Sequence, residues 1–336
     1  MTANPAPPRE PASGRAPAIQ HAPTIRHGPT IQHAEVIRRV LVIRLGALGD
    51  VVLSGPAFAT IRAHHPGAEV TLLTTAPYVS LAHRLPWFDH VAVDTRPRFW
   101  NLLALARLRR FLRGFERVYD LQTSARSTWY GRLAGGGAWS GIGGGMDLRD
   151  ADPERDRLHT RERLEGQLRQ AGIAALPAPD WSALASDGPE LPPRAALLVP
   201  GAAPHRPAKR WPAERFGELA AILAARGLVP VVLGAAADAP LAAIIRARCP
   251  AALDLTGRTG MAELFALAAR AELAVGNDTG PMHVAAAMGC PCLVLFGPDS
   301  DPALTAPRLP DGGWPTVIRA GNLADLPLER VAAALP

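Results

Sequence analysis

From residue 39 onward, short apolar runs alternate with stretches in which apolar residues recur at helical spacing. The runs at 40–43, 70–74, 91–94 and 117–121 are largely aliphatic, the pattern of strands buried on both faces. The segment from Asp50 to His64, and those at 78–84 and 102–113, read as helices. A second series begins near 195. Its strands are expected at 196–199, 229–233, 252–255, 273–275 and 292–296, and its helices at 213–226, 241–248, 262–271 and 282–288. Strand and helix in alternation predict an α/β fold of parallel sheets with right-handed crossovers. Residues 180–193 are rich in Pro, Ser, Gly and Asp and read as a linker. The expected organisation is a front domain at 39–180, a back domain at 194–325 and a closing helix at 326–336. Two doubly wound domains place ligands at the carboxyl ends of their strands. Polar motifs should therefore lie in loops that follow strands.

Residues 1–34 differ from the rest. They are rich in Pro, Ala, Thr and His, and a hexapeptide recurs there, ending at His21, His27 and His33. Such spacing is a weak metal-binding pattern. Repeated proline opposes helix and weakens strand pairing, so a disordered tail is expected. The uncharged run 279–298 approaches the length of a membrane span, but Pro281, Gly289, Pro291 and Gly297 divide it into a helix and a strand. No apolar stretch follows the first basic residues, so a signal peptide is not expected. The expectation is a cytoplasmic protein without a transmembrane helix.

The 336 residues suffice for about two domains. Apolar residues make up 48% and charged residues 20%, which excludes a wholly disordered chain. The formal net charge of +6 suits an anionic partner: a nucleotide, a phosphorylated lipid, a membrane surface or a nucleic acid. The three cysteines, Cys249, Cys290 and Cys292, form no CxxC pair and read as core residues rather than a disulfide framework or zinc site. Lys209 is the only lysine among 36 basic residues. It marks either a place where a compact ammonium is wanted or a chance survivor of an arginine-rich composition.

Three loops carry candidate chemistry. Arg44-Leu45-Gly46-Ala47-Leu48-Gly49-Asp50 joins the first strand to the first helix. Gly46 and Gly49 allow a tight turn and close approach by a ligand. Asp50, near a helix start, reads either as a cap or as a catalytic carboxylate. The loop holds only part of the GxGxxG dinucleotide fingerprint, which disfavours a nicotinamide oxidoreductase. In the second loop, Pro200-Gly201-Ala202-Ala203-Pro204-His205 leads to Lys209-Arg210-Trp211-Pro212. Lys209 could serve a diphosphate as a point charge or sit solvated at a helix start. In the third, Gly276-Asn277-Asp278-Thr279-Gly280-Pro281-Met282-His283 follows a strand and opens a helix, a phosphate or ribose site by its free N–H groups and dipole.

Weaker signals accompany these. Asp238, after a strand, could hold a ribose hydroxyl or start a helix. Gln122 and Ser124 follow another strand and could face the crevice. Arg107, Arg109, Arg110, Arg113 and Arg117 form a basic run. It reads as a solvated helix face or as a contact for an anionic acceptor or membrane surface.

Together the segments 42–50, 209–212 and 277–283, with Leu295-Phe296-Gly297-Pro298, resemble glycosyltransferase family 9, the ADP-heptose:lipopolysaccharide heptosyltransferases. The resemblance spans about 39–335, and its most specific part is the Asn-Asp-Thr-Gly-Pro-Met-His stretch. It implies a GT-B fold: two Rossmann-like domains facing a crevice, with the sugar nucleotide bound mainly by the second. It also implies inverting transfer of a heptose from ADP-heptose to an anionic lipid A or core oligosaccharide acceptor. By position, Asp50 would be the general base. Lys209 would hold the diphosphate, and Asp278, Thr279, Gly280, His283 and Asp238 would complete the donor site. Gly46, Gly49, Gln122 and Ser124 would lie on the acceptor side. No nucleic-acid partner is implied, and peripheral contact with the inner face of the inner membrane is a further expectation. No Asp-x-Asp pair stands in a suitable loop, so the ADP-sugar is expected to act as co-substrate without a required metal or other cofactor. The glycine-rich segment 135–145 matches no family feature. A GT-B-like sugar-nucleotide epimerase and a non-catalytic nucleotide-binding protein are the alternatives.

Overall fold

The computed structural model describes residues 37–173, 178–186, 188–203 and 206–336. The expected tail at 1–34 and His205 lie outside these residues. The front half holds β1 (Arg39–Ile43), α1 (Leu48–Leu53), α2 (Gly55–His64), β2 (Glu69–Thr74), α3 (Val79–Ala82), β3 (His90–Val93), α4 (Leu102–Leu112), β4 (Arg117–Asp120), α5 (Ala125–Ala134), β5 (Gly137–Gly141) and β6 (Met146–Arg149). After them, α6 (Thr160–Gln170) leads toward the back half. There follow β7 (Ala195–Val199), α7 (Ala213–Ala225), β8 (Val229–Val232), α8 (Ala239–Arg248), β9 (Leu253–Asp254), α9 (Met261–Arg270), β10 (Leu273–Asn277), α10 (Gly280–Ala287), β11 (Cys292–Phe296), α11 (Pro302–Thr305), β12 (Thr316–Arg319) and α12 (Leu328–Ala333).

Two six-stranded sheets result, ordered β3-β2-β1-β4-β5-β6 and β12-β11-β10-β7-β8-β9. Every pairing is parallel. Both are the doubly wound order expected from the alternation. In each sheet the order reverses beside its first strand, between β1 and β4 and between β7 and β10. That reversal opens a crevice at the strand ends. The loops after β1, β4, β7 and β10 are those that carry the candidate motifs.

One continuous buried cluster runs through both halves, from Val42 and Phe58 in the front to Phe265 and Met282 in the back. The segment into α6 is fastened to both halves. Gln167 Nε2 donates to Asp120 O at 3.0 Å and Ser140 Oγ at 3.2 Å. At the other end, Thr160 Oγ1 donates to Leu304 O at 3.2 Å and His159 Nε2 to Ala306 O at 2.8 Å.

The first expected helix divides at Ser54. Pro56 in the first turn of α2 lacks the amide needed to continue the helical bonding, and α1 closes at Ser54, whose N and Oγ both donate to Asp50 O, at 3.1 and 2.7 Å. Segment 135–145, which matched no family feature, holds β5 and the turn leading into β6, two strands that the alternation did not predict. The strand β12 and the helices α5 and α6 also lie beyond the elements read from the sequence. Among the described residues, no helix is long and apolar enough to cross a membrane.

Candidate active site

The loop after β1 makes its turn at Gly46, whose φ of 121° excludes ordinary side chains. A Cβ there would also lie 2.5 Å from the Tyr78 ring. The chain then enters α1 with Asp50 in its first turn. Asp50 Oδ2 accepts from Ala47 N at 3.1 Å, so the carboxylate does cap the helix. Its other oxygen meets Arg44 at 3.1 Å, and its side chain remains 43% exposed. The cap reading and the chemical reading are thus compatible. Arg44 is buried behind it and donates to Leu121 O. Burial lowers the guanidinium's pKa, while Asp50 and Asp120 act to raise it.

Asp120 is wholly buried at the end of β4. Its Oδ1 accepts from Gln122 N at 3.1 Å and Thr123 N at 3.0 Å. Desolvation pushes its pKa up to about 6, against the opposing pull of these hydrogen bonds and Arg44. Gln122 Oε1 accepts from Leu45 N at 2.8 Å, tying the loop after β4 to the loop after β1. Ser124 caps α5, accepting from Ser127 N at 3.2 Å. Gly46, Gln122 and Ser124 together line an open cavity of about 780 Å³, with Tyr78, Arg96 and Arg126 on its other walls. Burial raises the Tyr78 pKa, and the Asp50 charge adds to the rise.

In the back half, Asn277 at the end of β10 is fully buried. Its Nδ2 donates to Pro200 O at 2.7 Å and its Oδ1 accepts from Trp211 N at 3.0 Å. One amide thereby clips both ends of the loop that carries Lys209. The same loop packs over Gly297, where a Cβ would stand 2.7 Å from Ala208 O. Held this way, Lys209 Nζ donates to Asp278 Oδ2 at 2.6 Å, with the two side chains 12% and 6% exposed. Burial opposes ionisation of Asp278, yet the facing His283, Lys209 and Ser300 hold its pKa at about 2. His283 Nε2 lies 3.8 Å from Asp278 Oδ1, beyond a direct hydrogen bond.

Two buried polar atoms here have no partner among the described residues: Thr279 Oγ1 and His283 Nδ1. Thr279 begins α10 without using its hydroxyl as a cap. An unsatisfied hydroxyl and imidazole beside a helix N-terminus are suited to a ligand's oxygens. Asp238 packs against the backbone after β7 and β8, where a Cβ on Gly201 or Gly234 would come within 2.6 or 2.8 Å of it. Its Oδ2 accepts from Ala235 N at 2.9 Å. Lys209, Asp278, Thr279, Gly280 and His283 thus form one cluster, and Asp238 lies at the neighbouring strand end.

The two halves meet at the N-termini of α1 and α10. A Cβ on Gly49 would fall 2.7 Å from the His283 ring, and one on Gly280 would fall 2.7 Å from Leu48 Cβ. Gly49 therefore lies beneath His283, whereas Gly46, Gln122 and Ser124 line the open front cavity. These paired glycines let the Asp50 turn abut the Lys209–Asp278–His283 cluster. Sequence reading passed over Arg44, Tyr78, Arg96, Arg126 and Ser300 as site residues. Only Arg44 stood inside a quoted motif; the others are brought in by the parallel winding.

The family model for glycosyltransferase family 9 (heptosyltransferase) matches residues 175–311. The chain is 39% identical over 106 residues to lipooligosaccharide heptosyltransferase 2 of Haemophilus influenzae, a stretch covering 30% of each chain. It is 29% identical over 297 residues to lipopolysaccharide heptosyltransferase 2 of Escherichia coli, covering 77% of this chain and 82% of that one. Among solved structures, the ADP-heptose lipopolysaccharide heptosyltransferase II of E. coli superposes with a TM-score of 0.68 at 25% identity, over 88% of this chain and 97% of that one. The expected resemblance and the GT-B architecture are borne out.

Proposed function

We propose that this chain, a glycosyltransferase of the family 9 type, transfers a heptose from ADP-heptose to an acceptor of the lipopolysaccharide core, with inversion. The relatives' printed activities support the sugar and the pathway. The abutment of α1 on α10 carries the mechanism, because it sets a half-exposed carboxylate beside the Lys209–Asp278 ion pair and the free amides of a helix N-terminus.

The acceptor occupies the cavity lined by Gly46, Gln122 and Ser124. Its hydroxyl oxygen attacks the anomeric carbon of the donor. Asp50 takes the hydroxyl proton, and the bond from that carbon to the diphosphate oxygen breaks with its electron pair. General-base assistance of this kind contributes about 10²–10⁴-fold. Arg44 holds the Asp50 carboxylate in place from its buried side.

Lys209 and the N–H groups of Thr279 and Gly280 neutralise the charge that develops on the leaving diphosphate, each such donor contributing on the order of 3 kcal/mol. Asp278 aims Lys209 rather than meeting the phosphates, since two anions side by side would repel. The unpartnered Thr279 Oγ1 and His283 Nδ1 gain partners from the donor. Asp238, beside the Gly201 backbone, takes the ribose hydroxyls. In this reading charge stabilisation comes from protein groups, and turnover persists with a chelator present. The reading of a donor-only epimerase has no specific contact in its favour.

The test is incubation of the purified chain with ADP-heptose, with and without a heptose-deficient core acceptor, and analysis of products by NMR. Acceptor-dependent ADP release with inverted anomeric configuration is expected. Conversion of the donor in the acceptor's absence, or retained configuration, would overturn the proposal.

A further inference from the structure

We infer that the loop between β3 and α4 is a membrane-docking tip that seats the front half on an anionic phospholipid bilayer. Phe99, Trp100, Leu102 and Leu103 are 76%, 61%, 75% and 64% exposed, and they lie consecutively but for Asn101. Exposed apolar side chains in such a cluster mark a surface that is covered in use. They form an exposed apolar rim, with Phe99 and Trp100 edge to face at 4.6 Å.

The surrounding charge selects the occupant. From Arg96 to Gly114 the chain carries six arginines, at 96, 98, 107, 109, 110 and 113, and no carboxylate. Arg98 stacks over Trp100 at 5.1 Å. Arg107, Arg109 and Arg110 are exposed along α4, whose Leu105, Leu108 and Phe111 are drawn inward. An apolar edge bordered by arginine suits an interfacial element on negatively charged lipid, with Trp and Phe at headgroup depth. A second copy of the chain would bring this uncompensated positive collar against its like. Leu102 and Leu103 have no polar group with which to recognise a sugar.

The position of the tip also has meaning. A cavity of about 400 Å³ beneath Phe99, Trp100 and Trp129 shares Arg96 and Arg126 with the 780 Å³ front cavity. Docking through this rim would bring the lipid surface to the mouth of the proposed acceptor cavity. That link rests on the proposed function; the docking itself does not.

The experiment uses the purified full chain, without donor or acceptor. Vesicles of phosphatidylcholine alone are compared with vesicles of equal parts phosphatidylcholine and phosphatidylglycerol, by co-sedimentation at low and high salt. Binding is expected to the mixed vesicles only, and to fall with salt. The pair Phe99→Ser and Trp100→Ser should weaken partitioning at least about tenfold. Lipid brominated on its acyl chains should quench wild-type tryptophan fluorescence, and Trp100→Phe should lose most of that quenching. Far-ultraviolet circular dichroism and the cooperative urea transition report the fold of each variant and must stay unchanged. Equal binding to both vesicle types, no binding to either, or wild-type partitioning by the serine pair would overturn the inference. So would sedimentation showing that the serine pair converts a dimer to a monomer, which would assign the rim to a second copy.

Discussion

Replacing Lys209 by Met should expose how tightly the donor-side cluster is coupled. The ammonium lies 2.6 Å from Asp278, and the two side chains are 12% and 6% exposed. Asp278 is held at about 2, below its ordinary 3.8, because His283, Lys209 and Ser300 together outweigh the burial that opposes ionisation. That depression is worth on the order of 2 kcal/mol at neutral pH. Its sign follows from linkage: the contribution is full above about pH 4 and disappears as pH falls through about 2. Lys209→Met strands a buried carboxylate and should destabilise by roughly 3–5 kcal/mol. Asp278→Asn strands the ammonium instead. The double variant removes both charges and should lose less than the two single variants together, with a coupling on the order of 2 kcal/mol. Urea unfolding of the four proteins at neutral pH measures this. Without the ammonium the Asp278 carboxyl is no longer held below its ordinary value, so the acid limb of the stability profile between about pH 4 and 2 should flatten in Lys209→Met. Additive effects, with coupling below about 0.5 kcal/mol, or an acid limb as steep as in wild type, would refute the reasoning.

Further expectations concern the glycine contact and the buried acid. Gly49→Ala places a methyl 2.7 Å from the His283 ring. Despite alanine's helix propensity, it should weaken ADP binding by displacing the ring, as calorimetric titration would show; unchanged affinity would separate His283 from the donor site. Asp120 is pushed up to about 6 by burial, so its contribution is full below about pH 4 and is lost as pH rises through 6. Asp120→Asn should therefore flatten urea-derived stability between those limits by on the order of 3 kcal/mol relative to wild type, and an unchanged slope would count against it.

The strand and loop plan was legible because buried parallel strands are written as aliphatic runs, and those runs end in the polar loops. Val40 to Ile43, Ala195 to Val199 and Cys292 to Phe296 are buried throughout. The β5 strand escaped the same reading. Its Gly137-Ala-Trp-Ser-Gly141 sequence lacks β-branched residues, and three successive glycines from Gly135 have positive φ. What holds it is tertiary packing of Trp139 and Met146 against Gly131, which no local pattern reveals. The helix break at Ser54 was signalled by Pro56, but a proline in a first turn is equally compatible with the start of a new helix. At the site, the Asn277 motif showed that something was held there. It did not show that the amide itself clips Pro200 to Trp211 and so presents Lys209. Nor did spacing show that Gly49 and Gly280 serve the contact between halves. Tyr78, Arg96 and Arg126 reach the front cavity only through the winding of the sheet.

Steady-state kinetics and ADP titration of Asp50→Asn test the division of labour between the two halves most directly. Asparagine is nearly isosteric and keeps an oxygen for the amide of Ala47, while it removes the proton acceptor. The expected result is a fall in kcat of about 10²–10⁴-fold, with the dissociation constant for ADP unchanged. Turnover at the wild-type rate, or loss of ADP binding in step with turnover, would contradict a front-half carboxylate acting on the acceptor opposite a back-half diphosphate site.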